Sequence, residues 1–147
     1  MLPANYFDAA DALRTRLLAE MPQVRSVRTA SGLAEVSHLT PDAPALILCW
    51  DGDATPADSG CLNTVEQRWI VAVAVRSARD TAGGSGVIEA AGPLFSAVLT
   101  ALSGWKPDLP GAGRLRRTEA PRPGFDAGYG LFPLAFTLRR TFTVEPV

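Results

Sequence analysis

GVIEAAGPLFSAVLTALSGWKPD (residues 86–108) decides how this chain folds. Val87, Ala91, Leu94, Val98, Ala101 and Leu102 recur at the spacing of one helical face, and Phe95 and Leu99 widen the stripe. Ser103-Gly104 supplies a stop, Trp105 follows as an apolar plug, and Pro107 forbids continuation. Pro93 inside a helix costs about 3 kcal/mol, because it removes a hydrogen bond and crowds the preceding turn. Either the helix starts at Gly92-Pro93 or it runs through Pro93 with a kink; the helical composition of residues 87–91 favours the single kinked helix. Strand-like runs at 65–76 and 131–142 flank it, so this helix has a sheet to pack on.

Working outward, the run before the helix is the longest. In residues 65–77, Trp69, Val71, Val73 and Val75 point one way; Arg68, Ile70, Ala72, Ala74 and Arg76 point the other. The small residues of that second face would admit a helix or a neighbouring subunit. After the helix, Phe132, Leu134, Phe136, Leu138 and Phe142 alternate with smaller or polar residues, the pattern of a strand with one buried face. Residues 45–50 (ALILCW) form a continuous apolar run between Pro44 and Asp51-Gly52, the mark of a strand buried on both faces. Residues 51–60 (DGDATPADSG) read as a polar, exposed loop. Residues 114–120 (RLRRTEA) read as a strand that buries little, and 107–113 and 121–130 as loop and turn.

Toward the N-terminus, Asn5 or Asp8 is placed to cap a first helix reaching Met21, with Phe7, Ala10, Leu13, Leu17, Leu18 and Met21 on its apolar side and Pro22 ending it. Residues 23–29 form a short strand with Val24 and Val27 toward the core. A helical turn is expected at 33–38, a proline turn at 40–44, and a flexible connector at 78–86. The sum is one domain over residues 1–147. Its class is α+β: a mixed, mostly antiparallel sheet of about five strands with two main helices packed on one face.

Composition narrows the function. The chain has 147 residues, a formal net charge of −1 and an apolar fraction of 47%. No global field draws nucleic acid or a membrane surface, and no apolar run approaches the ~18 residues of a membrane helix. The N-terminus lacks a basic segment followed by a long apolar one, so no signal peptide is expected there and a cytoplasmic setting is. Cys49 and Cys61 make no disulfide framework; Cys49 reads as core and Cys61 as exposed and oxidisable.

No residue pattern carries chemistry decisively. His38 is the only histidine and has no constellation around it. Asp51, Asp53 and Asp58 follow a strand, where carboxylates can hold a divalent ion, but the calcium-loop pattern is not met. Gly83-Gly84-Ser85-Gly86 precedes a helix, yet Glu89 stands where a phosphate loop needs its third glycine. The C-terminal third is locally basic. If residues 114–117 lie beside the last strand, Arg114, Arg116, Arg117, Arg139 and Arg140 share a patch suited to nucleic acid or to an acidic partner protein, against the alternative of a solvated sheet face.

The segment ALSGWKPD (residues 101–108) resembles the A-L-x-G-W-x-P-D signature of one group of bacteriophage tail terminator proteins. VRSVRTASGLAEV (24–36), PALILCWDGD (44–53) and EQRWIVAVAVRSARD (66–80) resemble that group's further segments in the same order, so the resemblance spans most of residues 10–108. It implies a mixed sheet flanked by helices and a structural virion protein with no catalytic residues and no cofactor. The implied assembly is a ring, typically a hexamer, that caps the tail tube, stops its polymerisation and joins it to the head-completion protein. The implied partners are the chain itself, the tube protein and that connector, without specific nucleic-acid recognition or a membrane. The implied place is the tail–neck region of the virion, after assembly in host cytoplasm. The candidate partner-binding residues are Asp51, Asp53, Asp58, Arg114, Arg116, Arg117, Arg139 and Arg140. Ring contacts through strand edges point to residues 65–77 and 131–143, with Trp50, Trp69 and Trp105 as candidate anchors. The alternatives are another neck adaptor, or a small metal-dependent binder or enzyme using Asp51, Asp53 and Asp58.

Overall fold

A computed structural model describes residues 2–31, 43–77, 85–126 and 128–145. The expected turns at 33–38 and 40–42, His38, and most of the connector at 78–86 lie outside the described residues. Along the chain come α1 (Asp8–Glu20), β1 (Ser26–Thr29), β2 (Ala45–Asp58), β3 (Leu62–Arg76), α2 (Ser85–Leu102), β4 (Arg116–Thr118), β5 (Gly124–Asp126) and β6 (Tyr129–Thr143). The fold is α+β. One mixed sheet has the order β1-β2-β3-β6-β4, with β5 also on β6; only β1 and β2 run parallel.

Both helices pack on one face of this sheet. Ala9, Leu13 and Leu17 of α1 and Val87, Ala91, Leu94, Val98, Ala101 and Leu102 of α2 share a core with Leu46, Leu48, Trp69, Val71, Val73, Leu134, Phe136 and Leu138. Helical period meets strand period on a common apolar surface, at about 25 cal/mol per Å² removed from water. The α2 helix runs through Pro93 as one element. Its end is set by Gly104 at φ +74, whose N–H donates to the Leu115 carbonyl, while the Leu115 N–H donates to Trp105. Leu115 itself is fully buried, the one large apolar residue that β4's neighbourhood contributes.

Four expectations change. The first helix is not capped by Asn5 or Asp8: Phe7 is the N-cap residue and makes no side-chain cap. Asn5 accepts the Phe7 N–H instead, and Asp8 is drawn to Arg140. Residues 51–58 are not a loop but the outer half of β2, paired with β3 through Asp53↔Gln67, Ala54↔Glu66, Ala57↔Thr64 and Asp58↔Asn63. Their polarity reports exposure of a sheet extension, not irregular backbone; Gly52 at φ +91 lies in the shift between Trp50 and Asp53 that keeps the pairing going. A sixth strand, β5, folds back on β6 about Gly128 inside the expected turn region. The small-residue face of β3 is no open surface. Ala45, Ile47, Cys49, Ile70, Ala72, Ala74 and Ala135 are at most 3% exposed, with Ala30, Leu131 and Ala120 packed against them.

The edges differ from expectation as well. Neither β3 nor β6 is an edge. All fifteen residues of β3 pair with β6, from Leu62↔Thr143 to Arg76↔Tyr129, and β2 covers the other side. The outer side of β6 is covered by β5, by β4 and by the 111–113 segment, where Thr141 donates to Gly111 and Gly113 donates to Arg139. Gly111 has φ +68, and a Cβ there would lie 2.1 Å from the Thr141 carbonyl oxygen. Gly111→Ala is therefore expected to lose roughly 1–3 kcal/mol from backbone strain, before any loss of the Thr141 bond, read as a lowered urea midpoint.

Candidate interaction surfaces

Of the eight residues singled out for partner binding, six fall on opposite edges of the sheet, and Arg139 and Arg140 lie on the interior strand β6. Asp51, Asp53 and Asp58 line the outer half of β2. Each is engaged separately. Asp51 accepts from Arg68 Nε at 2.7 Å. Asp53 accepts from Tyr6 Oη and, at 3.1 Å, from Trp50 Nε1. Asp58 accepts from the Gly60 N–H at 2.8 Å and so closes the β2–β3 turn. Among the described residues no three His, Cys, Asp or Glu side chains come together as a metal site. A shallow groove of about 220 Å³ runs past Asp51, Asp53 and Glu66, with Arg68 in its wall.

Around Tyr6 the same edge carries aromatics. Its ring stands 5.2 Å from Phe7 and 5.7 Å from Phe142, and Phe7 stands 4.9 Å from Trp50. Phe7 and Trp50 are each 40% exposed. Burial and the bond to Asp53 push the Tyr6 hydroxyl up to about 12, so it stays a donor at neutral pH. Of the three tryptophans Trp50 alone is exposed. Trp69 is core and donates to Gln67 Oε1 at 3.3 Å, and Trp105 packs on the core with Arg16 5.2 Å over its ring.

The opposite edge is basic. Arg116 and Arg117 lie on β4 and are exposed, as is Arg114 just before it. Arg114 donates to the Gly104 carbonyl at 2.9 Å, and Arg117 sits 5.6 Å over the Phe95 ring. The side chains of Arg116 and of the exposed Arg122 have no ion pair or hydrogen bond among the described residues. Phe125, 51% exposed and edge-on to Phe132, adds an apolar element. Arg139 is spent within the sheet, donating to Glu66 Oε1 at 2.9 Å.

Arg140 corrects the expected patch. It is fully buried, because even-numbered residues of β6 face the helices while Arg139 faces away. It pairs with Asp8 and donates to the Pro110 carbonyl at 2.9 Å, with its guanidinium 4.8 Å over Phe142. It therefore ties α1 and the 107–113 segment to β6. No sequence signal distinguished it from Arg139, other than the alternation of the strand itself.

These placements give three expected outcomes. Asp8→Ala leaves a buried guanidinium unpaired and is expected to cost roughly 3 kcal/mol in a denaturant melt, the low end for a buried pair because Pro110 remains; Asp8→Asn costs less. Burial first, and the Asp51 charge second, push the Cys49 thiol from 9.0 up to about 11, whereas Cys61 is exposed. Iodoacetamide at mildly alkaline pH is expected to label Cys61 and spare Cys49 in the folded protein. The folded state holds the Cys49 proton more tightly than the unfolded chain, so this contribution to stability is intact below pH 9.0 and declines as pH rises toward 11.

No curated protein matches the chain. A family model described as "Phage tail terminator protein" matches residues 3–145. That match takes in every described helix and strand, including both charged edges of the sheet. With nearly the whole chain matched, this protein belongs to the phage tail terminator protein family.

Proposed function

We propose that this chain is a structural component of a phage tail that assembles as a ring, typically of six copies, on the head-proximal end of the tail tube. There it halts tube polymerisation and presents a joint to the head-completion protein. The observation that carries the reading is family membership over residues 3–145. The distribution of polar groups supports it. Two sets of exposed charge lie at opposite edges of the sheet: acidic residues on the outer half of β2, and Arg114, Arg116 and Arg117 at β4. A closed ring needs two unlike surfaces on each copy that fit one another head to tail. An acidic edge and a basic edge on one sheet meet that requirement.

The same reading leaves catalysis out: the protein works through its outer surfaces and needs no cofactor. Its place is the neck end of the tail in the virion, after assembly in the host cytoplasm. DNA crossing the lumen of such a ring asks for passage rather than grip, which suits a chain of net charge −1. No helix among the described residues is long and apolar enough to cross a membrane.

The test is negative-stain imaging of the protein with its tube protein, alone and together. Added to polymerising tubes, it is expected to give annular caps at one end and tubes that stop growing. Tubes that lengthen unchanged, with no density at either end, would overturn the reading.

A further inference from the structure

The two charged edges are related by more than their signs. One cross-strand row on the face away from the helices runs Asp51, Arg68, Thr137, Arg116: Asp51 pairs with Arg68, Arg68 stands opposite Thr137, and Thr137 opposite Arg116. The next row, on the helix face, runs Trp50, Trp69, Phe136, Arg117. Each row starts at the β2 edge with an acid or an exposed aromatic and ends at the β4 edge with an arginine.

The backbone of both edges is open at the same place. The Leu48 carbonyl accepts from Ala30 on the β1 side, so alternation turns the N–H and C=O of Trp50 outward as well. The β1 strand covers β2 only at Ala45–Leu48, and nothing among the described residues pairs with its outer side beyond. On the other edge Leu115 spends both backbone groups outward, on Trp105 and Gly104. Alternation then turns those of Arg117 outward too, without a backbone partner among the described residues. Since β2, β3, β6 and β4 are successively antiparallel, β4 runs opposite to β2. A second copy set beside the first in the same orientation meets it as an antiparallel pair.

We propose that the sheet continues from copy to copy: β4 of one copy docks on the outer half of β2 of the next, with Arg117 opposite Trp50 and Arg116 opposite Asp51. This rests on the ring reading and deepens it by naming the contact. Arg117 and Trp50 exchange their two outward backbone bonds, and the guanidinium lies against the indole. Arg116, which has no ion pair or hydrogen bond among the described residues of its own copy, joins Asp51. The region around the contact matches in charge: residues 51–58 carry Asp51, Asp53 and Asp58, with Asp51 paired to Arg68 of β3, and four arginines stand against Glu119 over residues 114–122 on the other side. Charge complementarity of this kind sets partner and register. Pro56 lacks an N–H, so the pairing stops short of the hairpin tip and the open edge is not a template for indefinite strand addition.

The experiment uses two charge-reversed proteins, Asp51→Lys with Asp53→Lys, and Arg116→Glu with Arg117→Glu, each checked for a cooperative melt. Mass photometry is taken of the wild type, each variant and their equimolar mixture. The expected result is a wild-type oligomer, its loss in each variant alone, and its return in the mixture, where copies with two basic edges alternate with copies with two acidic ones. A wild-type ring that survives both reversals overturns this contact and leaves the ring reading standing. A wild type that does not self-associate, with or without tube protein, overturns both. An open filament of the wild type, abolished by each reversal and restored on mixing, keeps the contact and overturns the ring. Should either reversal prevent folding, Asp51→Cys with Arg116→Cys in a Cys61→Ser background serves instead. A ladder of disulfide-linked oligomers on a non-reducing gel supports the register, and monomer alone under oxidising conditions overturns it.

Discussion

The pairing of β3 on both sides governs the rest of the molecule. Its full length is matched to β6 without a break and to β2 with two shifts. A strand so held has no freedom of register, because a one-residue slip would carry Trp69, Val71 and Val73 to the wrong face. With register fixed, odd residues of β3 from Trp69 to Val75 and even residues of β6 from Phe132 to Leu138 form one apolar surface, with Gln67 and Arg140 buried beyond it. The two helices cover that surface, and the opposite face closes over Ala72, Ala74 and Ala135. Interior positions for the two longest strands also mean that the free backbone lies elsewhere, on short β4 and on the outer half of β2.

Polar residues divide into two kinds by the same geometry. Where the three central strands extend past the helices, their outward rows carry ion pairs and hydrogen-bonded threonines: Arg139 with Glu66, Arg68 with Asp51, Thr64 with Thr141. These are exposed and worth little each. Where β6 turns inward, Arg140 lies beneath the start of α1, and its pairing with Asp8 is enforced by burial. Adjacent arginines on one strand thus differ wholly in environment. Gln67 is a second buried polar group, satisfied between the Tyr6 carbonyl and Trp69, and it binds the N-terminal segment to the sheet centre.

A protein that acts by assembly needs surfaces that are specific yet not indiscriminately adhesive. The exposed edge of β2 is bulged, acidic and interrupted by Pro56, all features that discourage random strand addition. Its aromatic pair, Phe7 and Trp50, lies beside those charges rather than in an isolated apolar patch. The basic edge is short, with Arg116 and Arg117 on the three-residue strand β4 and Arg114 just before it.

Much of this was legible in the residues. Periodicity determined the two helices, two of the three long strands and the α+β class, because burial on one face imposes a 3.6- or 2-residue repeat on the sequence; the inner half of β2 was read from its continuous apolar run, and the structure put the helices on the Trp69, Val71 and Val73 face, not on the small-residue face. The ordered segments ending in Gly-Trp-Lys-Pro at residues 104–107 pointed to the family. Tertiary structure alone decided the continuation of β2 through residues 51–58, since an exposed strand and an exposed loop draw on the same polar residues. It alone chose the β6 neighbours, which removed 65–77 and 131–143 from the edges: strand order depends on contacts between segments far apart in sequence. It alone separated Arg140 from Arg139, because alternation says that the two face opposite ways but only packing says that one of those ways is the interior.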